Sequence, residues 1–315
     1  MRTLSVGSLG PLACLTVLSS TVFGCSGSAP AASEPPKTTT AVTPAGGATT
    51  APLSDTPGFV VSATPPPPDA DGRIRWALAG QQRTEQERAR DKYRHPFETL
   101  TFFGIKPESK VVELWPGGGW YTAVIAPVVR DRGKLTVTNF APVGPNGETR
   151  QNAQRFNAKL QGAPGVYDQV DVKVVSPPSY LSLGPDGSAD VVVTFRNIHN
   201  WMGDGYADKV FAAAFQVLRH GGTLGVEEHR AAPGTDAKRA DETGYVTEDT
   251  VVQLAKGAGF VLDAKSEINA NPKDTKDYPK GVWTLPPTLE LGATDREKYL
   301  AIGESDRMTL RFKKP

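Results

Sequence analysis

The sequence predicts a doubly wound α/β fold, a mostly parallel sheet with helices on both faces. Three observations predict it. From Lys110 onward, apolar runs of strand length alternate with longer stretches at helical spacing. The run "SADVVVTF", Ser188 to Phe195, is apolar through its centre, as a strand buried on both faces is. The stretch "KVVELWPGGGWYTAVIAP", Lys110 to Pro127, passes from an apolar strand through an acid and three glycines into a helix-like run. A sheet of this kind holds its ligand beyond the carboxyl ends of its strands, where such a turn lies.

Taken in order, Thr84 caps a charged helix that Pro96 ends, and Phe97–Ser109 is a short apolar connector. Lys110–Leu114 is the first strand, and Trp120–Arg130 is a helix kinked at Pro127. Gly133–Phe140 is the second strand, followed by a helix over Thr149–Gly162 that the last glycine closes. Gln169–Ser176 and Ser188–Phe195 are the third and fourth strands. A helix from Gly205 ends before Gly221 and feeds the fifth strand, Thr223–His229. Thr247 caps a helix that leads into a strand over Phe260–Ile268, and Asp306–Lys314 is the last strand.

The chain opens as an export signal. Residues 1–24 carry Arg2 and an apolar region that ends in "VFGC", similar to a lipoprotein signal with Cys25 as the lipidated residue. Ser26 after it favours the outer membrane, facing the periplasm. Residues 25–72 are rich in Pro, Thr, Ala, Ser and Gly, lack apolar periodicity, and read as a tether. Residues 73–315 form one domain. The only two cysteines are Cys14, inside the signal, and Cys25, so the domain holds together without a disulfide. A net charge of +1, from 35 basic and 34 acidic residues, points to no nucleic acid and to no membrane contact beyond the anchor.

The glycine loop lacks the third spacing of the dinucleotide fingerprint and the Lys-Ser/Thr ending of a phosphate loop. Glu113-Leu114-Trp115-Pro116-Gly117-Gly118-Gly119 instead resembles the acid-x-G-x-G-x-G motif of class I S-adenosylmethionine-dependent methyltransferases. "FFGIKPESKVVEL", "ADVVVTF" and "VLRHGGTLGVEEH" resemble further landmarks of that family, in order. With "TFRNIHNW" and "GESDRMTLRF" the chain looks like a group of exported bacterial predicted methyltransferases. The resemblance implies a Rossmann-like sheet whose last strand is antiparallel. It also implies S-adenosylmethionine as cofactor, held by Glu113, Trp115, Gly117, Gly119 and Asn139. Three positions depart from the pattern. Trp115 takes the place of the first glycine, Asn139 replaces the acid for the ribose hydroxyls, and "SPPSY" after the third strand offers no acid for the adenine amine.

Polar residues gather where strand ends call for apolar ones. His199, in "FRNIHNW", and His229 with Glu228, in "VEEHR", are the expected catalytic residues, because an imidazole beside a carboxylate makes a base near neutral pH. Glu227 and Glu228 face opposite sides of their strand, so at most one points into the site. Asn197 and Arg230 are expected substrate contacts. The spacing matches no metal motif, and no metal is expected. His220 and His95 read as structural. Asn269–Thr288 is long, braced by prolines, and expected to close over the cleft with Tyr278 and Trp283. These readings make the chain a methyltransferase for a small molecule in the cell envelope. A non-catalytic periplasmic ligand-binding protein on the same fold is the other reading the residues allow.

Overall fold

The chain is described here from a computed structural model, which covers residues 61–315 apart from 63, 145 and 146. The export segment, Cys25 and most of the Pro-rich stretch lie outside the described residues. Seven strands are present: β1 (Lys110–Leu114), β2 (Lys134–Asn139), β3 (Asp171–Val174), β4 (Ala189–Phe195), β5 (Leu218–His229), β6 (Val261–Ser266) and β7 (Arg307–Lys313). They form one sheet in the order β3-β2-β1-β4-β5-β7-β6. The pairs from β3 to β5 are parallel, and β7 runs antiparallel between β5 and β6. This is the mostly parallel, Rossmann-like sheet with an antiparallel last strand that the sequence predicts. The order turns back between β1 and β4, so the switch point lies beyond Leu114 and Phe195.

Successive strand residues feed two separate cores. Val111, Val191 and Val193 pack with Ile74, Leu100, Val124 and Ile125, whereas Val112, Val192 and Leu224 pack with Val210, Phe211 and Val251. That alternation is the period of a strand covered on both faces. The first face is covered by α1 (Ala70–Ala79), α4 (Pro96–Phe102) and α5 (Thr122–Val129), with α6 (Gly147–Gly162) and α7 (Pro164–Tyr167) beside them, and the single turns α2 (Glu85–Arg88) and α3 (Asp91–Arg94) link α1 to α4. The second is covered by α8 (Ile198–Gly203), α9 (Ala207–Val217), α10 (Ala240–Thr243) and α11 (Glu248–Gly257). A last helix, α12 (Arg296–Ile302), precedes β7. Among the described residues, no helix is long and apolar enough to cross a membrane.

The N-terminal helices differ from the sequence reading. Ordered structure begins ahead of Arg73: Val61 is buried, and Asp69 caps α1 by accepting from the Gly72 amide at 2.7 Å. Thr84 does cap, in a reciprocal box with Glu87, but its helix is one turn long and a second turn, α3, follows. His95, at φ 38°, ends α3, and Pro96 starts α4 instead of ending a helix. At the first helical position its missing N–H leaves no bond unmade. The expected connector therefore contains α4, whose Thr99 and Leu100 are buried. The helix from Gly205 also stops early, at Val217, and β5 begins at Leu218 rather than Thr223.

Gly225 marks how closely these layers approach. A Cβ added there would stand 2.5 Å from the Phe103 ring. Gly225→Ala should therefore lower stability by roughly 1–3 kcal/mol, as overpacking does. An unchanged urea midpoint would mean that Phe103 does not seat on β5.

Candidate functional site

The loop after β1 turns at three residues with positive φ: Trp115 (42°), Gly117 (57°) and Gly119 (76°). The two glycines do different work. A Cβ on Gly117 would meet nothing within 4 Å, so this residue opens the loop toward ligand. A Cβ on Gly119 would stand 3.0 Å from the Phe156 ring. Gly119, expected to touch cofactor, instead lets α6 pack against the loop. Trp115 adopts a conformation that strains a side-chain-bearing residue. Its indole lies between Phe140 and Trp201, with ring centroids 5.7 and 5.2 Å away. Its Nε1 is buried with no hydrogen-bond partner among the described residues.

Two cavities flank this indole at the switch point, and Trp115, Gly117 and Asn197 line both. The first, about 330 Å³, is also lined by Asn139, Phe140, Asn200 and Asp204. Asn139 Oδ1 accepts from the Phe140 amide at 2.9 Å, which leaves its side-chain N–H groups for a ligand. A neighbouring space of about 420 Å³ is bounded by Ser176, Pro177 and Pro178, without an acid from that loop. The acid comes from elsewhere: Asp204, past α8, lines both spaces. Sequence reasoning missed it, because a polar turn residue carries no signal of the cavity it borders.

The second cavity, about 360 Å³, is lined by Glu113, Arg90, Arg94, Tyr121 and Arg196. Glu113 accepts from the Thr122 hydroxyl at 2.6 Å. Burial pushes its carboxyl up to about 7, against the pull of that hydrogen bond and of Lys159. Asn197 donates to the Leu114 carbonyl at 2.9 Å and so ties the ends of β1 and β4.

The structure brings His199, Glu228 and His229 together, with one ligand-type atom of each within 4.8 Å of the others. Glu228 is fully buried and accepts from the Ile198 amide at 2.6 Å and the His229 amide at 2.9 Å. Its Oε1 also lies 3.1 Å from His199 Nδ1. A carboxylate so engaged accepts rather than donates. It therefore fixes the proton on His199 Nδ1 and leaves a lone pair on Nε2. The same engagement makes Glu228 an orienting group for His199. Burial, with His199 and Arg196 nearby, holds His229 well below its usual pKa, so it is neutral at pH 7. Its Nδ1 lies 2.6 Å from Ser305 Oγ, a partner sequence reasoning did not find.

The other expected contacts divide. Trp283 sets its ring edge-on to His199 with centroids 5.9 Å apart, so the segment Asn269–Thr288 reaches the histidines at this residue. Tyr278 instead packs on Tyr299, at 5.8 Å, and its hydroxyl accepts from the Thr275 amide. Arg230 is spent on Asp306, Glu267 and Glu248 and is not free for substrate.

No protein-family model matches the sequence, and no curated protein matches it. Solved structures do. A SAM-dependent methyltransferase from Aquifex aeolicus matches at 14% identity and TM-score 0.48, over 72% of this chain and 93% of that one. A SAM-dependent methyltransferase from Methanosarcina mazei matches at 14% identity and TM-score 0.45, over 68% and 96%. An arsenic(III) S-adenosylmethionine methyltransferase from Chlamydomonas reinhardtii matches at 16% identity and TM-score 0.44, over 80% and 74%. Likeness at such identity says nothing of substrate.

Glu113 makes the site's charge state measurable. Its folded pKa of about 7 lies above the ordinary 4.5, so the folded state holds the proton longer than the unfolded one. Its stability contribution is full below pH 4.5 and is lost as pH rises to 7. Glu113→Gln, neutral throughout, should match the parent near pH 4.5 and exceed it by roughly 3 kcal/mol at pH 8, from the shift at 1.36 kcal/mol per unit. A pH-independent difference in melting temperature would place an ordinary carboxyl at Glu113.

Proposed function

We propose that this chain is an S-adenosylmethionine-dependent methyltransferase for a small molecule, exported and anchored through Cys25. One observation carries the reading. Glu113, Gly117, Asn139 and Asn197 converge from three strand ends on two adjoining cavities at the switch point. The residues fit the cofactor: Asn139 has N–H groups for ribose oxygens, Gly117 leaves the loop open, and the Trp115 indole has a donor without an acceptor. Bound there, S-adenosylmethionine would supply an electrophilic methyl group. The chain's own part is to place an acceptor atom and take its proton. His199 Nε2, oriented by Glu228, is the base, with neutral His229 beside it at a ring separation of 5.5 Å. Trp283 excludes water from this pair, and positioning supplies most of the acceleration.

A second reading is favoured by the seat of Trp115. Its indole stands between the two cavities, where a cofactor spanning them would pass, and this suits a binding protein for smaller ligands. Calorimetric titration with S-adenosylmethionine and S-adenosylhomocysteine separates the two. The enzyme binds both, and Trp283→Ala weakens binding with little change in the melting temperature of the free protein. No heat and no thermal stabilisation at millimolar ligand would retire the enzyme. The anchor has its own check: Cys25→Ala should move the protein from the membrane fraction to the soluble one. If the parent chain were already soluble, the lipid would be ruled out.

A further inference from the structure

Three guanidinium groups line the second cavity, and a fourth joins them through shared carboxylates. Arg90 and Arg94 come from the two ends of α3, Arg196 from the turn after β4, and Arg307 from the start of β7. Two carboxylates serve them all. Glu304 takes Arg90 Nε at 2.6 Å, and Arg94 Nε and Arg307 Nη1 at 3.1 Å each. Glu227 takes Arg196 Nη1 at 2.9 Å and Arg307 Nη1 at 3.1 Å.

The remaining groups do not restore the balance. Glu87, on the cavity wall, is paired with Lys159 at 2.5 Å. Burial holds the Tyr121 phenol neutral, and His229 is neutral too. Glu113 is the one other acid on the wall, and burial makes it hold its proton up to about pH 7. Below pH 7 two positive charges are thus left over where the Arg94 and Arg307 side chains are only 5% and 1% exposed. Arg90 Nη2 and Arg307 Nε are buried with no partner among the described residues. Burial, and then the charge of Arg196, pull Arg94 itself down to about 9. Uncompensated buried charge is costly, and a site that keeps it is built for a counter-charge from a ligand.

We propose that the 360 Å³ cavity is an anion site that takes a carboxylate or phosphate group of the acceptor, through Arg90, Arg94 and Arg196. The word acceptor rests on the methyltransferase reading; the anion site does not. The cofactor's single carboxylate would cancel at most one of the two excess charges, so the acceptor brings the other. The substrate class is therefore an acidic small molecule.

Inorganic phosphate is the probe, titrated into the protein at pH 6, where Glu113 holds its proton, in low-chloride buffer, with and without saturating S-adenosylhomocysteine. Phosphate should raise the melting temperature and bind in both cases. Arg90→Gln should weaken it by roughly tenfold or more, the loss of a charge-assisted pair, with the unliganded melting temperature nearly unchanged. Arg90→Lys, which keeps the charge but loses the planar fork, replaces that variant should it fail to fold, and should weaken phosphate to a smaller extent. If the parent does not respond to tens of millimolar phosphate, the anion site is wrong. Displacement of phosphate by S-adenosylhomocysteine would give the arginines to the cofactor's carboxylate and overturn the acidic acceptor. Phosphate binding with no binding of S-adenosylhomocysteine would keep the anion site and retire only the methyltransferase reading.

Discussion

The Glu227 carboxylate is wholly buried, and four elements meet on it. It belongs to β5 and accepts from Arg196 after β4, from Arg307 at the head of β7, and lies 3.0 Å from the Tyr121 hydroxyl before α5. Burial alone would raise its pKa, but Arg196, Arg307 and Arg94 outweigh burial and hold it below the ordinary value. Removing one partner of such a buried cluster costs about 3–5 kcal/mol. The cluster therefore fixes the ligand edge of the sheet. Arg196 sits at φ 60°, its amide donating to the Glu227 carbonyl at 2.8 Å. Two residues on, the Ile198 amide donates to Glu228. Adjacent glutamates, facing opposite sides of β5, thus clamp one turn from both faces, and that turn carries Asn197 and His199.

The fold was legible because its strands are buried on both faces, which writes a continuous apolar run into β1 and β4. The glycine loop was legible because a turn at the switch point needs residues free of side chains. The N-terminal helices were not. Turns of four residues have no periodicity to read, and Pro96 serves a helix start as well as a stop. The histidine cluster could be guessed from polar strand ends, but not its supports. Ser305 lies 76 residues from His229, and Glu304 lies 210 from Arg94. On a short charged helix Arg94 reads as solvated, and only the fold shows that it is buried. Arg230 failed in the opposite sense: an arginine at a strand end suggested substrate, while three carboxylates from the last third of the chain already enclose it.

Trp115 is where the resemblance and the geometry pull apart. A glycine in its place would take away the indole that both cavities share as a wall. The indole's position is held by tilted contacts to Phe140 and Trp201, each worth about 0.5–1.5 kcal/mol beyond burial. Against these stand a strained backbone and a buried indole N–H with no acceptor, which costs about 1–3 kcal/mol. Burial of the ring decides the balance in favour of this seat, since Trp115 is only 7% exposed. A ligand that offered an acceptor to Nε1 would regain the cost of the unmet N–H, and a ligand without one would not. An acceptor for Nε1 is thus a ligand feature that this wall would reward at either cavity.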